Sequence, residues 1–476
     1  MGHVMISRTA VAVVLVLSAN GLAAQAPPGS SNLHVLAHLP LGRPFTIAGI
    51  EVEQDLARPY AYVSRKLGGV REPGFDVIQM KTAEGAKVIY SWRIDHGELH
   101  DGLGPVEGKY FKTRGRYYYV ECTQFLPSGP DADLGAVVFD VTGLPDPSKV
   151  REVGRIMAPN SARAAATNAA STALRGSAAG LPGGFHNVFP YKHSDGRVIM
   201  LANTLSGTDA KIYDMNLFLS GDTAHASIGV IPVPGATGRY HDYYVGYDPA
   251  TRQDKFYGGA QPGGYFVFDI TKPEQPKLLT SVTVGSPAIT SSFGRGHTVT
   301  PSPDGRWLVT ETEYQYAPLR IFDLKPGLEG KVQTITQPVG AWTARWKGLP
   351  HNHELRWPYA FTSAYEDGLQ VFNFMDPTHP YTVAYYDTYA GPLQAGIAMA
   401  GQNEGQLIAN TGGVLNGAWG VDVRNADGII VVSDQVTGFW AFAMDGFDHW
   451  NGHDWGMPNI SSVQDWDNGP DGAHAR

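Results

Sequence analysis

Short runs of β-branched and aromatic residues, separated by turns rich in Pro, Gly and Asp, recur along the whole chain. The stretch from Gly294 to Thr336 shows the unit most clearly, with the runs HTVT, WLVTETE, LRIFDL and KVQTIT. Residues of these types favour extended strands, and Pro and Gly favour the turns between them. The stretch therefore predicts four short antiparallel strands in about 45 residues, the size of one β-propeller blade.

The third strand of this unit can be followed through seven copies. Aligning the copies with one another places an apolar or aromatic residue, in chain order, at Ile78, Phe139, Tyr213, Phe268, Phe322, Phe372 and Phe442. The steps between these positions are 61, 74, 55, 54, 50 and 70 residues, a period near 50 with three insertions. Seven copies are enough to close a ring. The sequence therefore predicts an all-β fold, a seven-bladed β-propeller of four-stranded antiparallel blades.

The seventh copy ends near Met444 without a clear fourth strand. The stretch from Asn32 to Pro40, NLHVLAHLP, alternates apolar and polar residues as a strand does. We expect Leu33 to His38 to supply the missing strand, so that the N-terminal segment closes the ring and removes two exposed sheet edges.

The domain organisation that follows is one propeller over residues 27–476, preceded by a signal peptide and linker over residues 1–26. Two low-complexity insertions interrupt it, at about 157–184, which is rich in Ala and Ser, and at about 390–417, which is rich in Gly. Both join the outermost strand of one blade to the innermost strand of the next, so we expect both at the channel mouth. Blade five is expected to span 296–336, and the tail after residue 444 to be irregular.

The N-terminus has the features of a secretory signal: Arg8, the apolar run Ala10 to Ser18, and small residues around Ala23. The expected location is the periplasm or the extracellular space. No second apolar run of 18 or more residues follows, so no membrane span is expected in the mature protein. The single cysteine, Cys122, excludes an internal disulfide.

The charge balance bears on partners. The formal net charge is −9 and charged residues make up 17% of the chain, without a basic run. Nucleic-acid binding needs a positive stripe, so no nucleic-acid partner is expected.

Histidines recur where first strands begin. His186, His241 and His297 stand 27, 27 and 25 residues before the third-strand position of their blades. Blade six offers His351 and His353, at 21 and 19 residues before Phe372, and either fits.

Innermost strands line the channel of a propeller, so matched positions on neighbouring blades converge at one height. Three or four imidazoles there could hold iron, copper or zinc. The alternative is that they satisfy backbone groups and water in a polar channel.

Carboxylates are expected on the same face of the disc. Glu313 and Glu366 lie at the ends of second strands, and Glu354 adjoins His353. Each is a candidate partner that orients a histidine or acts as a general base, and the alternative for each is a solvated charge on the rim.

The third and fourth strands resemble those of the LVIVD-repeat proteins, in copies such as GLQVFNFMDPTHPYTVAYYDT and GYFVFDITKPEQPKLLTSV. The resemblance implies a secreted bacterial β-propeller and no single activity.

The placing of His186, His241, His297 and His353 is similar in idea to two groups of propellers. Carotenoid cleavage oxygenases hold iron with four channel histidines. Selenium-binding, methanethiol-oxidase-like proteins also carry channel histidines with a metal.

The leading functional hypothesis is a metal-dependent oxidoreductase or oxygenase that acts on a small molecule in the channel mouth. Two alternatives stay open. One is a non-catalytic propeller that binds a protein or glycan partner, and the other is a metal-dependent hydrolase that uses the same residues.

Overall fold

The structure is a computed structural model that describes the greater part of the chain. The described residues are 28–68, 71–81, 85–125, 130–158, 183–204, 207–236, 238–283, 296–313, 317–344, 348–389, 416–447, 466–467 and 469–470. The predicted signal peptide and most of both predicted insertions lie outside these ranges.

The described chain forms strands with few helical turns. The strands of the N-terminal half are β1 (Leu33–Leu39), β2 (Ile47–Val52), β3 (Tyr60–Arg65), β4 (Gly74–Gln79), β5 (Lys87–Arg93), β6 (Gly102–Thr113), β7 (Arg116–Phe125), β8 (Leu134–Asp140), β9 (Arg151–Met157), β10 (Asn187–Lys192), β11 (Val198–Asn203), β12 (Asp209–Asp214) and β13 (Ser227–Pro232). Those of the C-terminal half are β14 (Arg239–Asp248), β15 (Gln253–Gln261), β16 (Gly264–Asp269), β17 (Lys277–Val282), β18 (Val299–Pro301), β19 (Trp307–Thr310), β20 (Leu319–Asp323), β21 (Thr334–Ile335), β22 (Gly340–Trp342), β23 (Asn352–Arg356), β24 (Tyr359–Ser363), β25 (Leu369–Asn373), β26 (Tyr381–Tyr386), β27 (Ala418–Val423), β28 (Ile430–Asp434) and β29 (Gly438–Met444). The helical turns are α1 (Met215–Leu219), α2 (Lys325–Leu328) and 3-10 turns at Gly97–Leu99, Pro147–Lys149 and Pro234–Ala236.

Seven antiparallel sheets make the blades of the ring. In the order innermost to outermost strand they are β2-β3-β4-β5, β6-β7-β8-β9, β10-β11-β12-β13, β14-β15-β16-β17, β18-β19-β20-β22, β23-β24-β25-β26 and β27-β28-β29-β1. The predicted seven-bladed β-propeller is confirmed.

The N-terminal strand closes the ring as predicted. β1 pairs antiparallel with β29, with Leu33 opposite Met444 and Leu39 opposite Phe439. Leu33 is buried in the cluster that contains Phe442, whereas Leu36 on the same strand is exposed. The strand is therefore held by its backbone ladder and by one apolar face.

The prediction for the end of blade five is wrong. The run KVQTIT does not supply the fourth strand; β22 does, and β21 pairs in parallel with β17 of blade four instead. Packing explains the exchange, because Ile335 is buried in the cluster between blades four and five. Trp342 packs between blades five and six, stacked 4.4 Å from the ring of Phe372.

Apolar faces of neighbouring sheets pack on each other around the ring, so the core is a series of inter-blade layers. One layer joins Val309, Ile321 and Trp342 of blade five to Ala360 and Phe372 of blade six. This packing leaves the starts of the innermost strands facing the channel, where polar side chains collect. No described helix is long and apolar enough to cross a membrane.

The described part of the C-terminal tail lies on the face opposite the strand starts. Asp467 accepts hydrogen bonds from the Arg114 amide at 2.9 Å and from the Lys192 ammonium at 2.5 Å. Trp466 packs edge-on against Tyr247, 5.7 Å between ring centroids. The tail thus contacts the innermost strands of blades two, three and four at their far ends.

Closure by β1 predicts unequal effects of two leucine substitutions on one strand. Leu33→Ala should lower the free energy of unfolding by about 2 kcal/mol, because it opens a cavity in a packed cluster. Leu36→Ala, which removes an exposed side chain, should change it by less than about 0.5 kcal/mol. Denaturant unfolding of both variants measures the difference, and equal effects would contradict a buried closing strand.

Candidate metal centre

A shared backbone hydrogen bond sets the height of three histidines. In each case the amide of the histidine donates to the carbonyl oxygen at the end of its blade's second strand. The pairs are His186 to Asn203 at 2.8 Å, His297 to Glu311 at 3.0 Å, and His351 to Ser363 at 2.9 Å. His351, rather than His353, therefore occupies the matched position of blade six. His241 belongs to an irregular part of β14, where the register with β15 shifts between Tyr240 and Tyr243.

The four histidine rings form a continuous arc from blade three to blade six. Ring centroids lie 4.1 Å apart for His186 and His241, 4.1 Å for His241 and His297, and 5.2 Å for His297 and His351. All four side chains are buried. The structure thus brings these predicted residues together at the channel.

An oxygen atom lies close to the Nδ1 atom of every ring in the arc. The partners are Gln124 Oε1 for His186 at 2.6 Å, Asp242 Oδ1 for His241 at 3.4 Å, Thr298 Oγ1 for His297 at 3.0 Å and the Trp419 carbonyl for His351 at 2.5 Å. Such partners fix the orientation of an imidazole and, in metal sites, its tautomer.

Asp242 is a residue of the candidate site that was not predicted from the sequence. Its carboxylate accepts hydrogen bonds from Asn187 Nδ2 at 2.9 Å and from Thr298 Oγ1 at 3.1 Å. Its oxygens also lie 4.0 Å from His186 Nε2 and 3.5 Å from His297 Nδ1. One anchored carboxylate therefore reaches three histidines. The available signal was its position directly after His241 at the start of a first strand.

Glu313 is brought to the other side of the arc. Its two oxygens lie 3.1 Å from His297 Nε2 and 3.8 Å from His351 Nε2, and the Tyr365 hydroxyl donates to Oε1 at 2.7 Å. Glu313 and Tyr365 follow the second strands of adjacent blades at equivalent positions, and both have a φ of +42°. Strained backbone of this kind costs free energy and concentrates at functional sites.

Two overlapping groups of side chains have the spacing of a metal site. The first is His186, His241 and Asp242, and the second is His241, His297 and Glu313; within each group the ligand atoms lie within 4.8 Å of one another. In the first, His186 Nε2 and His241 Nδ1 are 3.3 Å apart. Two nitrogens at about 2.1 Å from a tetrahedral ion would have that separation. His/Asp and His/Glu groups that could hold a metal are therefore present in the channel.

Burial and charge act differently on the four imidazoles. Burial lowers the pKa of His186 to about 4, of His241 to about 3 and of His351 to about 4. Burial also disfavours the charged form of His297, but the attraction of Glu313 and Asp242 outweighs it and raises the pKa to about 10. Three rings are thus neutral and one carries a proton between two carboxylates whose own pKa values, against the effect of burial, are lowered by nearby imidazoles.

His353 lies on β23, two residues after His351, and its ring is not part of the arc. Its Nδ1 lies 3.2 Å from Glu311 Oε2, and both side chains are buried. The Nε2 atom of His353 and the second oxygen of Glu311 have no hydrogen-bond partner in the described chain. Burial raises the pKa of Glu311, and the neighbouring histidines oppose that rise.

The other two predicted carboxylates belong to neither of the two ligand groups. Glu354 binds Arg356 Nη1 at 3.0 Å, farther along β23. Glu366 is partly buried just after Tyr365, where its backbone approaches Gly417. Their catalytic roles stay predictions.

Glu107 and Trp419 continue the wall of the channel through blades two and seven. A Cβ atom on Gly49 would lie 2.3 Å from Glu107 Oε2, so the glycine of blade one leaves room for this carboxyl group. Burial raises the pKa of Glu107 to about 7. The Trp419 ring packs 4.4 Å from the His351 ring and belongs to an apolar cluster with Leu349 and Tyr365.

No protein-family model and no curated protein matches the chain. Solved structures do match, and among them is Raptor from Chaetomium thermophilum, with a TM-score of 0.51 and 10% sequence identity. The alignment covers 88% of this chain and 30% of that chain. At this identity the likeness shows the fold alone, and a β-propeller is what it supports.

The charge arrangement at His297 can be tested in metal-free protein. Glu313→Gln should lower the pKa of His297 by at least about one unit, because it removes the strongest attraction on the imidazolium. Histidine NMR titration measures the shift, and Glu98→Gln, which alters an exposed carboxylate at a turn, is the control. An unchanged pKa in the Glu313 variant would contradict the ion pair.

Proposed function

We propose that the protein is a metal-dependent oxidoreductase or oxygenase that acts on a small molecule at the mouth of the propeller channel. The observation that carries the proposal is the arc of four buried imidazoles, three of which have an oxygen at hydrogen-bond distance from Nδ1. Metal-ligating histidines are typically oriented in this way by a carboxylate, carbonyl or other acceptor.

The cost of burial favours a cation at this place. Four imidazoles are buried away from water, and His297 Nε2 meets the Glu313 carboxylate at 3.1 Å without the geometry of a hydrogen bond. A buried polar atom without a partner costs free energy. A transition-metal ion would offset that cost because imidazole nitrogen is a good ligand for iron, copper and zinc.

The chain's own residues have distinct tasks in the proposed reaction. A bound iron or copper ion would supply one-electron chemistry. Glu313 would accept or return a proton at its carboxylate, and the Tyr365 hydroxyl would hold that carboxylate in place. The apolar cluster around Trp419 and Leu349 would limit water beside His351.

A hydrolase is the second candidate, and Glu313 is the observation that favours it. Its carboxylate lies among the imidazole nitrogens, where it could take a proton from an attacking water molecule. This reaction would use zinc and the same histidines. A propeller that only binds a protein or glycan would need none of these ligands.

The cellular setting belongs to the proposal as well. We propose export to the periplasm or the extracellular space, supported by the signal-like segment over residues 1–26. Membership of the LVIVD-repeat proteins is supported by the third- and fourth-strand motifs alone.

Element analysis of protein purified after expression with and without added iron, copper and zinc tests the proposal. We expect one ion or more per chain in the wild-type protein and loss of at least tenfold in occupancy in His241→Ala, because His241 belongs to both ligand groups. His34→Ala, on the exposed outer strand, is the matched control and should keep full occupancy.

The identity of the ion separates the candidates. A paramagnetic signal from iron or copper supports the oxidoreductase, and zinc supports the hydrolase. No ion after reconstitution would leave the binding propeller.

A further inference from the structure

A second cluster of charged side chains lies on the innermost strands, farther from the strand starts than the histidine arc. We call this direction below the arc. The cluster contains Glu51 of blade one, Lys109 of blade two, Glu354 and Arg356 of blade six, and Asp422 of blade seven. We call this set the lower tier. The activity proposed above does not use it, and nothing in the sequence analysis predicted it as a unit.

The contacts of the lower tier cross three blade boundaries. Lys109 Nζ donates to Glu51 Oε2 at 2.8 Å, and Arg356 Nη1 donates to Glu354 Oε2 at 3.0 Å. Arg356 Nη2 also lies 3.5 Å from Asp422 Oδ1. The backbone amide of Val52 donates to Asp422 Oδ2 at 2.8 Å, which ties blade seven to blade one.

The charge count of the lower tier is unbalanced. Three carboxyl groups face two cations, so full ionisation would leave one uncompensated negative charge. Glu51, Asp422 and Arg356 are almost wholly buried, and the second oxygen of Glu51 has no hydrogen-bond partner in the described chain. An unpaired charge in such a place is expensive, and carboxylates that share a site avoid the cost by retaining a proton.

The groups packed against the tier do not supply the missing positive charge. Tyr110 and Tyr244 contribute phenols, and Glu107, which is within Coulombic range of Lys109, adds another carboxyl group. Arg58 lies near Glu53 and binds that carboxylate through two nitrogens. The excess of carboxyl groups over cations is therefore a property of the channel at this level.

We propose that Glu51 and Asp422, beside the Glu354 carboxylate, hold one exchangeable proton between them near neutral pH and form a proton-binding site below the histidine arc. The Glu354 side chain is 22% exposed and gives the proton a way to exchange with solvent. When the proton leaves, a carboxyl O–H bond breaks and the acceptor is water or a base at the histidine level. Only the transfer of the proton to a base at the histidine level rests on the function proposed above. The proton-binding site does not depend on it.

The direction of the individual pKa values agrees with this arrangement. Burial, opposed by Lys109, raises the pKa of Glu51 well above its usual range. Burial and the neighbouring Glu354 raise the pKa of Asp422 to about 6. Interacting carboxyl groups titrate together, so the titrations of Glu51 and Asp422 should be coupled.

Carboxyl NMR of full-length protein labelled with ¹³C at the side-chain carboxyl carbons of Asp and Glu tests the proposal. Over about pH 4 to 9, where exposed carboxylates have finished titrating by about pH 5.5, we expect buried carboxyl resonances that still titrate, that of Asp422 with a midpoint near 6. Asp422→Asn should remove one of them. Glu354→Gln should lower the midpoint by at least about one unit, because it removes the surplus negative charge.

Two controls keep the test decisive. Glu354→Gln preserves an acceptor for Arg356, so it serves if Asp422→Asn fails to fold. Glu98→Gln, at an exposed turn, should leave the midpoint unchanged. Ionisation of Asp422 throughout the range, or a midpoint independent of Glu354, would overturn the proton site. Loss of metal binding alone would overturn the function proposed above and leave this site standing.

Discussion

One backbone hydrogen bond, repeated in blades three, five and six, is the constraint on which the channel depends. It joins the amide of the histidine before the first strand to the carbonyl at the end of the second strand, at 2.8 to 3.0 Å. The bond fixes where each histidine stands relative to its blade and therefore its height in the channel. Imidazoles from separate sheets, which are far apart in sequence, thus lie at one level. Propeller symmetry therefore does for this site what a local motif does in other folds.

Much of the fold could be predicted because strand-forming runs and turn residues alternate regularly along the chain. Seven third-strand copies gave the number of blades, and the alternation in β1 gave the closure of the ring. The exchange at blade five could not be predicted from local pattern. KVQTIT has the composition of a strand, and β22 has three residues, but burial of Ile335 and Trp342 in different layers decides where each run pairs. Tertiary packing overrode local propensity there.

The site was predictable to the extent that it follows the repeat. His186, His241 and His297 could be aligned by their distance from the third strand, whereas the shorter first turn of blade six left His351 and His353 equivalent in sequence. The carboxylates were harder, because their roles depend on neighbouring blades. Asp242 acts on His186 and His297 across two blade boundaries, which no spacing within one blade reveals.

The two levels of the channel deal with buried polarity in opposite ways, and blade six contributes to both. At the upper level, neutral imidazoles dominate, since desolvation removes their protons and leaves nitrogen lone pairs available. At the lower level, Lys109 and Arg356 compensate the charge of two of three carboxyl groups, and the surplus favours a retained proton. His351 directly precedes β23 and Glu354 lies on it three residues later, so one short segment contributes to both levels. Glu107 lies within Coulombic range of both Lys109 and His297, so a change of charge at one level is felt at the other, where burial weakens screening by water.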